Sequence, residues 1–154
     1  MSAPSLDSLP EALERDVGFL MTRCAASALR VTNRALEPLG LRARQYAVLQ
    51  IASARKGSSQ RQIGIDLGLD PSAVVSLVDD LERQALVVRT SDPTDRRARL
   101  VTATTEGRNI LNDAAPRVVS AQAELMSDLT AEEAGLLREL VSRVRLVAPA
   151  ALNS

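Results

Sequence analysis

The 154-residue chain has no histidine, no tryptophan, one cysteine (Cys24) and two aromatic side chains, Phe19 and Tyr46. Without histidine the commonest general base is missing. A lone cysteine can form no internal disulfide and has no partner to make it a thiolate nucleophile, a usage that fits a reducing, cytoplasmic compartment. The seven glycines are scattered, so no glycine-rich loop is available to cradle a phosphate. Asp79 and Asp80 fall in a helical pattern, point about 100° apart and make a poor metal clamp. No enzymatic activity, no metal and no cofactor are expected. No apolar run reaches the roughly 20 residues of a membrane span. Residues 1–10 lack a basic stretch followed by an apolar one, so neither a membrane segment nor a secretory leader is expected.

What is present is aliphatic and helical. The composition, 45% hydrophobic and 25% charged, is that of an ordinary globular protein long enough to bury a real core. Leu9, Leu13, Val17, Leu20, Cys24, Ala28, Val31 and Ala35 recur at steps of three and four, one apolar stripe on a helix over about residues 10–36. Cys24 lies on that stripe and reads as a small buried hydrophobe. After the break Glu37-Pro38-Leu39-Gly40, a second helix over 43–54 buries Tyr46, Val48, Leu49, Ile51 and Ala52. Ser59 is a natural N-cap for a short helix carrying Ile63, Ile65 and Leu67. Gly68 supplies a turn, and Asp70-Pro71 opens the next helix as a cap followed by proline at the first helical position. There Val74, Leu77, Val78 and Leu81 face inward, and Ser72, Ser76, Asp79 and Arg83 lie opposite. Beyond residue 104 a long helix to about Leu129 contains Pro116, which should bend it. Thr130 and Glu133 then form a capping box for a last helix with Leu136, Leu137, Leu140, Val141, Val144 and Val147 in one stripe.

Net charge is also absent, with 19 basic and 19 acidic side chains, but its distribution is uneven. Residues 41–103 carry 10 basic and 7 acidic groups, whereas the segments before and after are both acidic on balance. The densest part, Asp92-Pro93-Thr94-Asp95-Arg96-Arg97-Ala98-Arg99, separates the strand-like runs Leu86-Val87-Val88 and Leu100-Val101-Thr102. That reads as a β-hairpin with an arginine-tipped loop. Two short helices, a tight turn between them and a basic hairpin make a winged helix-turn-helix, a layout that binds double-stranded DNA. The fold class is therefore mainly α with a small β-hairpin wing. We divide the chain into an N-terminal dimerisation helix (1–40), a DNA-binding region (41–104) and C-terminal dimerisation helices (105–154). The terminal stripes are expected to bury against a second copy, giving a two-fold homodimer; folding back on the core is the alternative.

The run Asp92-Pro93-x-Asp95-Arg96-Arg97-Ala98-x-x-Val101-x-x-Thr104-x-x-Gly107 resembles the wing of MarR-family (multiple antibiotic resistance regulator) transcription factors. Gln45-Tyr46-Ala47-Val48-Leu49 and Leu69-Asp70-x-Ser72-x-Val74-x-x-Leu77-Val78-Asp79-x-Leu81-Glu82 are similar to the family's second and recognition helices. The resemblance implies a homodimeric, cytoplasmic repressor on a pseudo-palindromic operator, released by a small aromatic or phenolic ligand. It places Arg97 in the minor groove, where narrowness concentrates negative potential, with Asp95 holding it and Arg96 and Arg99 nearby on phosphates. Ser59, Gln60 and Arg61 are expected on the DNA backbone at a helix N-terminus. Ala73 and Val75 are expected against thymine methyls, and Ser72 and Ser76 against bases or phosphates. Phe19, Arg23, Tyr46 and Leu49 are candidates for an effector pocket, with plain core or dimer contacts as the alternative. The chain departs from the family at Ala73, Val75 and Ser76, where many relatives have Thr, Thr and Arg, and at Ala85, where Gly is common. Two other readings are a redox sensor acting through Cys24 and a winged helix used as a protein-interaction module.

Overall fold

The computed structural model describes residues 9–54, 57–92 and 99–144. Seven helices and three strands follow in the order α1 (Glu11–Glu14), α2 (Val17–Leu36), α3 (Ala43–Ala54), β1 (Ser58–Ser59), α4 (Gln60–Leu67), α5 (Pro71–Arg83), β2 (Val87–Ser91), β3 (Arg99–Ala103), α6 (Thr105–Leu125) and α7 (Ala131–Arg143). The first stripe is split into α1 and α2, whereas its periodicity suggests one helix. Asp16 accepts a hydrogen bond from the Phe19 amide at 3.0 Å and caps a new helix, a local contact that competes with helix continuation. A 3-10 turn, Glu37–Leu39, ends α2. The start of α3 is held from outside: Asn33 on α2 accepts from the Ala43 amide at 2.8 Å. The mostly buried Gln45 accepts from the Arg42 amide at 3.0 Å. These side chains satisfy helix-start amides that have no partner within the helix.

The sheet is antiparallel, with β3 between β1 and β2. Val87 pairs with Ala103 and Ser91 with Arg99, so the hairpin is longer than its apolar runs suggest. Two serines form β1 against Leu100 and Val101; they carry no strand-type pattern and owe their conformation to that pairing. Leu36, Leu41, Val48, Leu49, Ile63, Val74, Val78, Leu81, Val87 and Val101 are almost fully buried in one cluster. Each contributes about 1.5–3 kcal/mol of transfer free energy, which makes an aliphatic core sufficient without aromatics. Ile65 is not part of it. Its side chain is exposed, because on a two-turn helix only the Ile63 side faces inward.

Helix α6 begins at the cap Thr104, continues through Pro116 and ends at Leu125, four residues before the expected end. The capping box of α7 is formed, and hydrogen bonds from the Thr130 backbone and side chain hold the Glu133 carboxyl below the usual range. Helix α2 lies along α6, whereas α7 packs against no other described element beyond marginal contact. The α7 stripe Leu136, Leu137, Leu140, Val141 and Val144 is exposed in the single chain, and so is Cys24. Within the single chain, Cys24 is thus not the buried hydrophobe its place on the stripe suggested.

The α5–β2 turn and the start of α6 meet at one tight junction. Helix α5 ends with Leu86 N–H donating to Leu81 O and Ala85 N–H to Glu82 O, both at 2.9 Å, a Schellman cap. Its αL position is occupied by Ala85 at φ 57°, a conformation that strains residues with a Cβ. Thr104 Oγ1 donates to Ala85 O at 2.8 Å and accepts from the Gly107 amide at 2.9 Å. A methyl group on Gly107 would lie 2.1 Å from the Leu86 carbonyl oxygen and 3.0 Å from Leu49. Thr104-x-x-Gly107 is therefore a packing requirement: a cap, followed one turn later by a residue without a side chain. Gly107→Ala is expected to lower stability by about 2–3 kcal/mol through overpacking. Ala85→Gly should raise it by about 0.5–1 kcal/mol by relieving the positive φ. Chemical denaturation of the two variants checks both signs.

Candidate nucleic-acid interface

Helices α4 and α5, joined through Gly68 in the αL conformation, form the helix-turn-helix. Ser59 caps α4, its hydroxyl accepting from the Gln62 amide at 3.1 Å. Asp70 occupies the N-cap position of α5, but its side chain makes no capping bond; Pro71 alone sets up the first turn. The inward stripe of α5 is Val74, Val78 and Leu81, fully buried, with Leu77 packed at its edge. Ser72, Val75 and Ser76 are exposed and Ala73 is half-buried. The outer face of α5 thus offers two hydroxyls and two small apolar groups toward its N-terminal end. A face of that width and chemistry can enter a major groove.

The N-terminal end of α4 is joined through Arg89 to the last turns of α5. Arg61 is exposed, whereas Gln60 is half-buried and accepts from Arg89 at 3.3 Å. Arg99 is exposed at the start of β3, opposite Ser91. Asp95, Arg96 and Arg97, the expected tip of the wing, lie outside the described residues. Among the described residues no group of histidine, cysteine, aspartate and glutamate is arranged to hold a metal ion, and no helix is long and apolar enough to cross a membrane.

The acidic side chains of α5 are paired. Asp80 accepts from Arg83. Asp79 and Glu82 both accept from Arg89, a strand residue whose side chain is 22% exposed. Glu82 also accepts from the Arg89 backbone amide at 3.2 Å. Burial pulls the Arg89 pKa down, but the hydrogen bonds and charges of Asp79 and Glu82 raise it above the ordinary arginine value. Sequence reading missed this residue. The available signal was its place two positions after the buried Val87, on the same face of β2.

None of the four effector candidates is among the residues lining the two cavities described below. The Arg23 guanidinium lies over the Phe19 ring, 5.9 Å from its centroid. Arg23 Nη1 is buried without a hydrogen-bond partner among the described residues. Leu49 is fully buried in the core, and Tyr46 packs at its edge, its hydroxyl accepting from Gln50 at 2.7 Å. A cavity of about 320 Å³ is lined by Asn33, Arg34, Glu37, Gly40, Leu41 and Arg42. Another, of about 260 Å³ between α2 and α6, is bounded by Val31, Arg34, Arg117 and Glu124 among others.

Comparison with known proteins bears on this geometry. A family model described as MarR family matches residues 39–98. The chain is 32% identical to the HTH-type transcriptional regulator MhqR of Bacillus subtilis over 128 residues, 83% of this chain and 88% of that one. It is similar to a MarR-family transcriptional regulator from Rhodococcus sp. RHA1, with 41% identity, a TM-score of 0.81, and 86% of this chain and 94% of that one covered. It is also similar to CouR from Rhodococcus jostii RHA1 solved with p-coumaroyl-CoA, at 40% identity and a TM-score of 0.77 over 90% of this chain and 99% of that one. A structure of the repressor CouR on a 23-mer DNA duplex aligns with a TM-score of 0.79 at 26% identity, covering 88% of this chain and 96% of that one.

Proposed function

The chain belongs to the MarR family of transcriptional regulators, and from that premise we propose that it is a homodimeric repressor on a pseudo-palindromic operator, released by a small aromatic ligand. The observation that carries the reading is the outer face of α5: exposed, short-sided and polar at its N-terminal end, with its own carboxylates neutralised by arginines. Ser72 and Ser76 bond bases or phosphates, and Ala73 and Val75 meet thymine methyls. Ser59, Gln60 and Arg61 hold the backbone. Arg97 enters the minor groove with Asp95 supporting it, and Arg96 and Arg99 lie on phosphates. Ser59 does this from the cap of α4, where the positive end of the helix dipole adds to the attraction.

Dimerisation follows from the exposed stripe on α7. Leu136, Leu137, Leu140, Val141 and Val144 are 44–53% exposed, an apolar surface that a monomer seldom leaves uncovered. A second copy covers it in a two-fold arrangement, which also spaces two recognition helices for two half-sites. The effector is read as an aromatic acid or its thioester. CouR in its p-coumaroyl-CoA complex supports this class. So does the pairing of the Phe19 ring with Arg23, whose Nη1 is a buried donor without an acceptor among the described residues.

Titration of mixed-sequence duplex DNA at increasing salt tests the DNA reading. Affinity should fall linearly on logarithmic axes as counterions are released. Arg61→Ala and Arg99→Ala should each flatten the slope by about 1. A salt-independent affinity contradicts the reading and favours a protein partner. Leu140→Glu should convert the dimer to monomer in sedimentation velocity; an unchanged mass places the dimer interface elsewhere.

A further inference from the structure

We propose that Arg89 is the positioning residue of the DNA-binding lobe, fixing α5 to strand β2 and to the first turn of α4 while cancelling two carboxylates beside the groove-facing surface. The inference rests on the DNA reading above and adds a residue to it.

Three elements meet at this guanidinium. Nη1 donates to Glu82, and Nη2 donates to Asp79 and to Gln60 Oε1. The second Glu82 oxygen takes the backbone amide of Arg89 itself, so α5 is bound to β2 through both main chain and side chain. Residues 60, 79, 82 and 89 come from three separate elements, and the contact joins the first turn of α4, the last turns of α5 and the middle of the wing's first strand. Exposed ion pairs of ordinary geometry contribute little. Here the arginine is the least exposed member, and its planar fork serves several acceptors in a way that a lysine ammonium on a flexible stem does not.

Asp79 lies on the outer face of α5 with Ser72 and Ser76, one to two turns further along the helix. Left alone, Asp79 and Glu82 would put two negative charges next to an approaching phosphate backbone. Asp80 is held by Arg83. Arg89 does the same for the other two and takes up hydrogen-bonding capacity that a direct phosphate contact would need.

The test compares wild type, Arg89→Ala, Arg89→Lys, the pair Asp79→Asn with Glu82→Gln, and the triple variant, all measured well below their melting temperatures. Binding is read by fluorescence anisotropy on a duplex that the wild type enriches from a random pool, and on an unrelated duplex. Arg89→Ala should lose about tenfold in affinity for the enriched duplex, and less for the unrelated one, with the dimer intact. Arg89→Lys should recover part of the loss. Removing the two carboxylates should recover only part of the affinity in the Arg89→Ala background, where the tie stays broken, and should lower affinity in wild type, where it cuts that tie. A direct phosphate contact predicts otherwise: carboxylate removal raises affinity by one factor in both backgrounds, and Arg89→Lys restores it fully. Either of those results overturns the proposal. So does a purely structural role, in which Arg89→Ala lowers the melting temperature and leaves the ratio of enriched to unrelated affinity unchanged. If Arg89→Ala fails to fold, Arg89→Lys decides: an unchanged ratio refutes positioning and a reduced one supports it. A wild type that enriches no duplex defeats the DNA reading itself, and the role of Arg89 with it.

Discussion

The close approach of α6 to the start of β2 is the constraint on which the rest of the molecule depends. Gly107 leaves no room for a side chain against the Leu86 carbonyl, and Thr104 bonds both to that turn and to the first turn of α6. Protein interiors transmit small displacements because they are close-packed. A shift of α6 therefore reaches the base of the wing, and α2, which lies along α6, shares in it. The same junction forces the chain through a positive φ at Ala85, so the turn that links recognition helix to wing carries strain that a glycine would not. Stability has been given up at the point where the two halves of the chain are joined.

Electrostatics act on the other side of the lobe. A chain with no net charge approaches a polyanion through local arrangement alone. Its acidic residues on α5 are covered by arginines from the same helix and from β2, while Arg61 and Arg99 remain exposed. The recognition face itself is short-sided, without the long arginine that reads guanine bidentately. On the proposed reading, sequence preference on such a face comes from hydroxyls, methyl contacts and the shape of the duplex.

Much of this was legible in the sequence, for identifiable reasons. Helix α3 has polar breaks on both sides and runs over the residues read for it. Gly68, Pro71, the Ser59 cap and the Thr130–Glu133 box are local signals, and local signals survive folding. The outer face of α5 follows from 100° periodicity and its buried complement. What was not legible depends on distant partners. The split at Asp16 looks like continuous periodicity. Strand β1 exists because β3 lies beside it, and Ile65 points outward because α4 is too short to bury both isoleucines. Arg89 reads as one residue of a strand, since its partners lie 7, 10 and 29 positions away.

On the proposed reading, a two-fold dimer reads DNA through its paired α5 helices. Selection of bound sequences from a random duplex pool by the purified protein tests it most directly. The account predicts an enriched pseudo-palindrome with half-sites centred about one helical turn, roughly 10 base pairs, apart. A folded, dimeric protein that enriches no sequence would contradict it.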